Sequence, residues 1–587
     1  NSRSTRRIAS IARHATSRTR PRISTGSYPK AAEDRIIPIC KRLILVALLA
    51  APVAAGASVD PRGPLHAYAR ARLADGDGAL GLAVASYRDA LDQDPARIEI
   101  ARRSYVQGLE SGDKALALRS AALLDQAGML SRDGTLLLIG EALTRKDWAG
   151  ARTLTDRMTE EGNFAFIAPI VRSWITIGEG DYAPPVIDNK DRFASLGLRY
   201  ADEHIALQAL ARRDLTTAVP AIRRALSVRS SDGGALRLTF AAQLAAQGAK
   251  AEALMLLPVG SANFAQARVA IEKGKGLKAI GAAATPAQGF ARLLSRLAVD
   301  VGSDTAGGTL ALRLARMATF ADPTGAETHI VAARLLTAQG YTSGAVVEAA
   351  KVPPKSWHAQ LAQAELIDAL AANGDGDTAL TLARAQAAAP GAETERQVRL
   401  GRLLADGGDY TGAAAAFRVA QGGYAPGEAP WTLLLFEGTA LDQGKRWDEA
   451  RAVLEQAAAM APNEPMILNY LGYAQIERRQ NVDAALALIK KASALKPQDA
   501  SITDSLGWAQ YVTGDVSAAV PVLERAAAGA PSDSTINEHL GDALWTAGRR
   551  YEARYAWAAA SVYAEGDVAA RLAAKSKEGL KPEYAAP

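Results

Sequence analysis

Four glycines toward the end of this chain, Gly438, Gly472, Gly507 and Gly541, stand 34, 35 and 34 residues apart. Ala450, Ala485, Ala519 and Ala553 follow at intervals of 35, 34 and 34, and Pro462, Pro497 and Pro531 close the first three copies. A fixed period of this length leaves few architectures open. Each copy is one supersecondary unit that cannot bury its apolar face alone, so neighbours must stack. The units are helical. Ala and Leu, the best helix formers, dominate the composition, while Val and Ile are scattered singly rather than alternating as in strands.

One copy, "TDSLGWAQYVTGDVSAAVPVLERAAAGAP", carries the logic. Gly507 and Ala519 let two antiparallel helices approach, and Leu506 and Leu523 fill the space between them. Gly514-Asp515 turns the chain, because glycine accepts dihedrals that other residues resist. Pro531 stops the second helix. The preceding copy has one extra residue at its turn, in "RRQN". Degenerate copies run upstream: Gly401, Gly408 and Phe417; Gly340 and Ala345; Gly248 and Ala253; Ala218 and Ile222; Gly140, Trp148 and Ala151; Ala83, Tyr87 and Pro95.

The net charge of +6 is unevenly placed. Residues 1–42 hold eleven Lys/Arg against Glu33 and Asp34, so the remainder is acidic by three charges. That argues against a nucleic-acid partner for the folded part. Lys41-Arg42 precede an uncharged apolar run, Leu43 to Ala57, ending in Ala55-Gly56-Ala57. This pattern predicts a cleaved secretory signal peptide, and the run is short for a membrane span. Cys40, the only cysteine, precedes the apolar run, so it is not placed to accept lipid, and membrane association would come only through an uncleaved leader.

The expected organisation is a disordered basic extension over 1–39, read as lying upstream of the true start, and a signal peptide over 40–57. Degenerate repeats follow over 58–255, an irregular joint over 256–308, repeats over 309–425, well-formed repeats over 426–565, and a C-terminal tail over 566–587 whose last residues, "KSKEGLKPEYAAP", read as solvated.

The Leu-Gly, Ala, Gly-turn, Ala, large residue, Ala, Pro signature resembles the tetratricopeptide repeat family. The resemblance implies an all-α, right-handed α-solenoid of helix–turn–helix repeats. "ALRLARMATFADP", "ILNYLGYAQIERR", "DSLGWAQYVTGD" and "INEHLGDALWTAGRRYEARYAW" together look like the large envelope tetratricopeptide proteins of Gram-negative bacteria. One type there is a lipoprotein adaptor that binds a periplasmic carboxyl-terminal processing protease and presents cell-wall hydrolases to it. The implied role is a non-catalytic scaffold in the periplasm or cell envelope whose partners are proteins or peptides, with a processing protease and cell-wall enzymes as candidates.

Binding faces of such arrays are lined by fixed first-helix positions. In three successive copies these hold Asn469, Asp504 and Glu538; Tyr473, Trp508 and Asp542; and Tyr511 and Trp545. Aromatics beside acids make a peptide-binding face, since Trp and Tyr dominate interface hot spots. Alternatively, Tyr511 and Trp545 simply pack against the next repeat. Trp148, Trp447 and Trp557 match packing positions and belong to the core. The chaperone-binding version of the fold clamps a terminal carboxylate with cations. Asp504 and Glu538 stand there instead, so a free carboxylate is a poor ligand.

No catalytic constellation is legible. The histidines, His14, His66, His204, His329, His358 and His539, fall in different repeats, and repeats that touch only their neighbours keep them apart. There is no H-E-x-x-H, C-x-x-C, nucleophile elbow or phosphate-loop lysine. Gly76, Gly78 and Gly81 match a dinucleotide fingerprint literally, but at a helical repeat turn. No metal or cofactor is expected. A glycan-binding or polysaccharide-export protein is the alternative, with the aromatics stacking on sugars. An enzyme is a third reading, and it would need polar groups converging in one pocket.

Overall fold

The computed structural model describes residues 63–586 apart from 77–78, 188–193, 228–232, 275, 283, 304–306 and 426. The extension and signal peptide expected over 1–57 lie outside the described residues. Among the described residues the chain is all-α, built of antiparallel helix–turn–helix pairs stacked as an α-solenoid. No helix among them is long and apolar enough to cross a membrane. The chain divides into two compact units, meeting in sequence at Ala379 and Leu380.

The C-terminal unit is a regular array. Its pairs are Thr394–Asp406 with Tyr410–Gln421, Trp431–Gln443 with Trp447–Met460, Pro465–Glu477 with Val482–Leu495, Ala500–Val512 with Val516–Gly529, and Ser534–Thr546 with Arg550–Ser561. The periodic glycines are notches. A Cβ on Gly438 would come within 2.6 Å of Leu454, on Gly472 within 2.7 Å of Ile489, on Gly507 within 2.6 Å of Leu523 and on Gly541 within 2.3 Å of Trp557. Each notch admits the large side chain of its partner helix, which is buried in every case. Asp499, Asp515 and Asp533 cap their helices by accepting from free backbone N–H groups.

The N-terminal unit departs from nearest-neighbour stacking. Its hairpins run from Pro64–Gly76 with Leu80–Gln93 onward, and of the glycine-rich fingerprint Gly76 ends the first helix and Gly81 lies in the second. The expected irregular joint contains Pro286–Gly302, opened by a capping box of Thr285 and Gln288. That helix packs on Gly134–Thr144 and Ala168–Gly178, and the next, Gly308–Ala321, packs on Ile98–Ser111 and Gly134–Thr144. A Cβ on Gly289 would meet Trp174 at 2.2 Å. Arg316 donates to the Glu110 carbonyl at 3.1 Å and pairs with Glu348 at 2.5 Å. Tyr341 donates to the Glu110 carboxylate at 3.0 Å. Segments some two hundred residues apart in sequence thus share one core.

Trp557 is fully buried, as its packing position requires, whereas Trp148 and Trp447 are half-buried. The Trp447 indole N–H donates to Gln480, and Arg478 lies over the Trp447 ring.

Candidate functional site

The eight residues assigned to a partner stand on three consecutive first helices, Pro465–Glu477, Ala500–Val512 and Ser534–Thr546. The fold brings them to one region and buries most of them. Asn469, Tyr473, Asp504, Trp508, Glu538 and Asp542 are buried, and Tyr511 and Trp545 are half-buried. Trp508 is stacked against Tyr511 at 4.9 Å and against the His539 ring at 3.9 Å. Asp504 accepts from His539 Nδ1 at 3.0 Å. Tyr511 shares a hydrogen bond with Thr546.

At the Ser534–Thr546 end of this row lies a later segment of the same chain, residues 566–586. The expected tail begins with a helix, Gly566–Glu578, whose Lys575, read as solvated, is fully buried. Arg571 and Lys575 lie one turn apart and face Glu538 and Asp542, likewise one turn apart on the facing helix. Arg571 forks onto Glu538 with two bonds of 2.7 Å, and Lys575 donates to Glu538 and to both Asp542 oxygens at 2.7 Å. Asp542 also accepts from the Trp557 indole at 2.9 Å and the Ala586 backbone N–H at 3.0 Å. Beyond Glu578 the chain turns at Gly579, bends at Pro582–Tyr584 and places Ala586 in the same apolar cluster as Tyr473 and Trp508.

The two acids respond differently. Burial works against ionisation of Glu538, but Arg571 and Lys575 overcome it and hold the carboxyl below its ordinary range. Burial prevails at Asp542 and pushes its carboxyl up despite Lys575. Half-buried Glu477, hydrogen-bonded to Tyr473, is also pushed up by burial.

Sequence reasoning missed His539, Arg571, Lys575 and Ala586. A signal for two of them existed. Arg571 lies 33 residues after Glu538, one repeat on, so the stretch 566–578 occupies the place of a further first helix.

Polar side chains also converge within the N-terminal unit, around a cavity of about 490 Å³. Arg292 bridges Glu203 and Glu327 there, and His358 Nε2 lies 3.4 Å from Glu327 and 3.5 Å from the Thr239 hydroxyl. Arg292 and His358 offset the burial of Glu327 and lower its carboxyl to about 2. Histidines in different repeats were expected to stay isolated, but folding back of the Pro286–Gly302 helix brings His358 into a charged cluster. Its contacts to Glu327, Thr239 and the Ala235 carbonyl all use the same ring nitrogen, Nε2. Among the described residues no group of three or more His, Cys, Asp or Glu could hold a metal ion.

A family model described as tetratricopeptide repeat matches residues 437–500 and 505–570. The helix–turn–helix pairs of that stretch are thus similar to tetratricopeptide repeats. No curated protein matches the chain. Among solved structures, an anaphase-promoting-complex hetero-tetramer, Cut9–Hcn1, is 14% identical over 91% of this chain and 98% of its own, with a TM-score of 0.37. MamA from MSR-1 is 19% identical over 29% of this chain and 95% of its own, at 0.24. A thermophilic tetratricopeptide protein of Thermus thermophilus is 21% identical over 31% and 97%, at 0.28. Tetratricopeptide arrays generally mediate protein–protein interaction, and the array here is built around a face already filled from within.

Proposed function

We propose that this protein is a non-catalytic scaffold of the Gram-negative periplasm or envelope. Its tetratricopeptide array binds a segment of a partner protein, and its role is to bring a processing protease to cell-wall hydrolase substrates. The observation that carries the protein-binding reading is the row of first-helix aromatics and acids from Asn469 to Trp545, against whose Asp542 and Trp545 end a stretch of polypeptide already lies. The leader pattern and the envelope resemblance support the location and the partners. A scaffold of this kind acts by geometry, since two partners held on one surface meet at raised effective concentration. The glycan reading draws less support, because Trp508 is buried between its ring neighbours and offers no free face for a sugar.

The test is direct. A purified periplasmic carboxyl-terminal processing protease is mixed with residues 58–587, and complex formation is followed by sedimentation. Cleavage of a cell-wall hydrolase is then timed with and without the scaffold. A stable complex and faster cleavage are expected. A protease that neither sediments with the protein nor changes its rate rules out the adaptor role.

A further inference from the structure

Helix Gly566–Glu578 extends the array by half a repeat, which covers the apolar edge of the final hairpin. The segment after it goes further than an end cap requires. Gly579 has φ +86°, and a Cβ there would come within 2.2 Å of the Trp545 ring, so the residue must be small as well as left-handed. Ala586 donates its N–H to Asp542 and is itself buried, in the apolar cluster that includes Tyr473 and Trp508. Between these points Pro582, Glu583 and Ala585 face solvent. The face therefore holds this segment by small side chains at two places and by a main-chain donor. Those are features that any polypeptide with small residues at that spacing can offer.

We propose that this face is a docking surface for a small-residue peptide segment of a partner protein, and that residues 579–586 are a competitor in cis which the partner displaces. The proposal rests on the protein-binding reading above. The chemistry of the partner follows from the walls. Asp542 accepts a backbone N–H, Glu538 and Asp542 are already matched by Arg571 and Lys575 and so set no charge preference, and the Trp545 ring leaves no room for a side chain at the position of Gly579. Tethering gives the resident segment a high effective concentration. A partner must then exceed it in affinity or arrive anchored elsewhere on the scaffold.

The experiment uses the full chain and a fluorescein-labelled peptide, GLKPEYAAP, followed by fluorescence anisotropy. Ala586→Glu puts a charge into the apolar cluster beside Asp542, and Gly579→Val forces a branched side chain onto Trp545. Each lesion expels the segment by a different route, so one variant decides if the other misfolds. Each variant should bind the probe on the order of tenfold or more tightly than wild type, with helical circular dichroism unchanged. A probe carrying the same Ala-to-Glu change should not compete. If folded variants bind the probe no better than wild type, the proposal is overturned. Probe binding without protease binding keeps the docking surface and removes only the adaptor role. Protease binding without probe binding does the reverse.

Discussion

The two units make the same kind of joint at very different sequence distances. In the C-terminal unit Gly541 receives Trp557 from the other helix of its own hairpin. In the N-terminal unit Gly289 receives Trp174 from a helix more than a hundred residues earlier. The first joint closes a short loop and the second a long one, which costs more chain entropy before any contact repays it. The C-terminal array therefore gains stability repeat by repeat, each depending on its neighbours. The N-terminal unit forms its core only when the Pro286–Gly302 and Gly308–Ala321 helices come home, so its parts stand or fall together. Charge is used accordingly. Arg292 and Arg316 tie distant helices inside the N-terminal unit, while Arg571 and Lys575 tie only the last helix to its neighbour.

The largest expected effect tests that contrast. Arg292→Ala leaves Glu203 and Glu327 buried without their shared cation, and removing one member of a buried ion pair costs about 3–5 kcal/mol. Hydrogen exchange should rise across the N-terminal unit, from the Ile98–Ser111 helix to the Ala326–Ala338 helix, with little change after residue 380. Lys575→Met should raise exchange only over the last hairpin and the segment 566–586. An Arg292 effect confined to its own helix would show that the N-terminal unit also breaks up repeat by repeat.

Acid provides the next contrast. His204 is fully buried and accepts the Trp174 indole N–H at 3.0 Å on Nδ1, and burial lowers it to about 4. The folded state refuses a proton that the unfolded chain accepts near pH 6.5. Its contribution is complete above that pH and is lost as pH falls toward 4, amounting to about 3 kcal/mol. Chemical denaturation of the N-terminal unit across this window should show the slope, and His204→Gln, which keeps an acceptor for Trp174, should flatten it. In the C-terminal array Glu538, held below its ordinary range, contributes above that range and loses its contribution only in stronger acid. Asp542, raised by burial, works in the opposite sense.

The glycine notches sharpen the comparison at a smaller scale. Gly289→Ala and Gly541→Ala each push a methyl group into an indole, and overpacking of this kind costs about 1–3 kcal/mol. Differential scanning calorimetry should show the first lowering the whole N-terminal transition. The second should broaden the C-terminal one by loosening its last hairpin. Equal and local effects would erase the distinction.

How much of this was legible in the sequence follows the same division. The C-terminal repeats were readable to the residue, because the period repeats every constraint and the notch, the filler and the turn recur together. The candidate face was readable as a row of positions, but its burial was not. Asn469, Asp504 and Trp508 carry no mark of what covers them, and the Arg571/Lys575 pair looks like a solvated helix surface until it is set one repeat after Glu538 and Asp542. The N-terminal unit was readable as degenerate helical repeats, but not in how they fold back on one another. Nothing periodic in the sequence marks Gly289 as the seat of Trp174, or Arg292 as the bridge between Glu203 and Glu327. Those contacts join helices that no local pattern relates.

The smallest expected effect concerns the turns, where the two units are alike. Gly514 and Gly548 turn their hairpins with φ of 91° and 81°, a conformation natural to glycine. At equivalent turns Lys146, Arg213 and Lys445 adopt φ of 60°, 60° and 63° while carrying full side chains. An L-residue held there costs roughly 1 kcal/mol, partly offset by the extra freedom glycine gives the unfolded chain. Lys445→Gly and Arg213→Gly should therefore each stabilise by about 0.5 kcal/mol, read as a shift in the denaturant midpoint of the unit concerned. If cooperativity differs as argued, Arg213→Gly moves the whole N-terminal transition by its small amount. Lys445→Gly protects only the two helices that its turn connects. A midpoint shift spread evenly over the C-terminal array would mean that its repeats are coupled as tightly as the helices of the other unit.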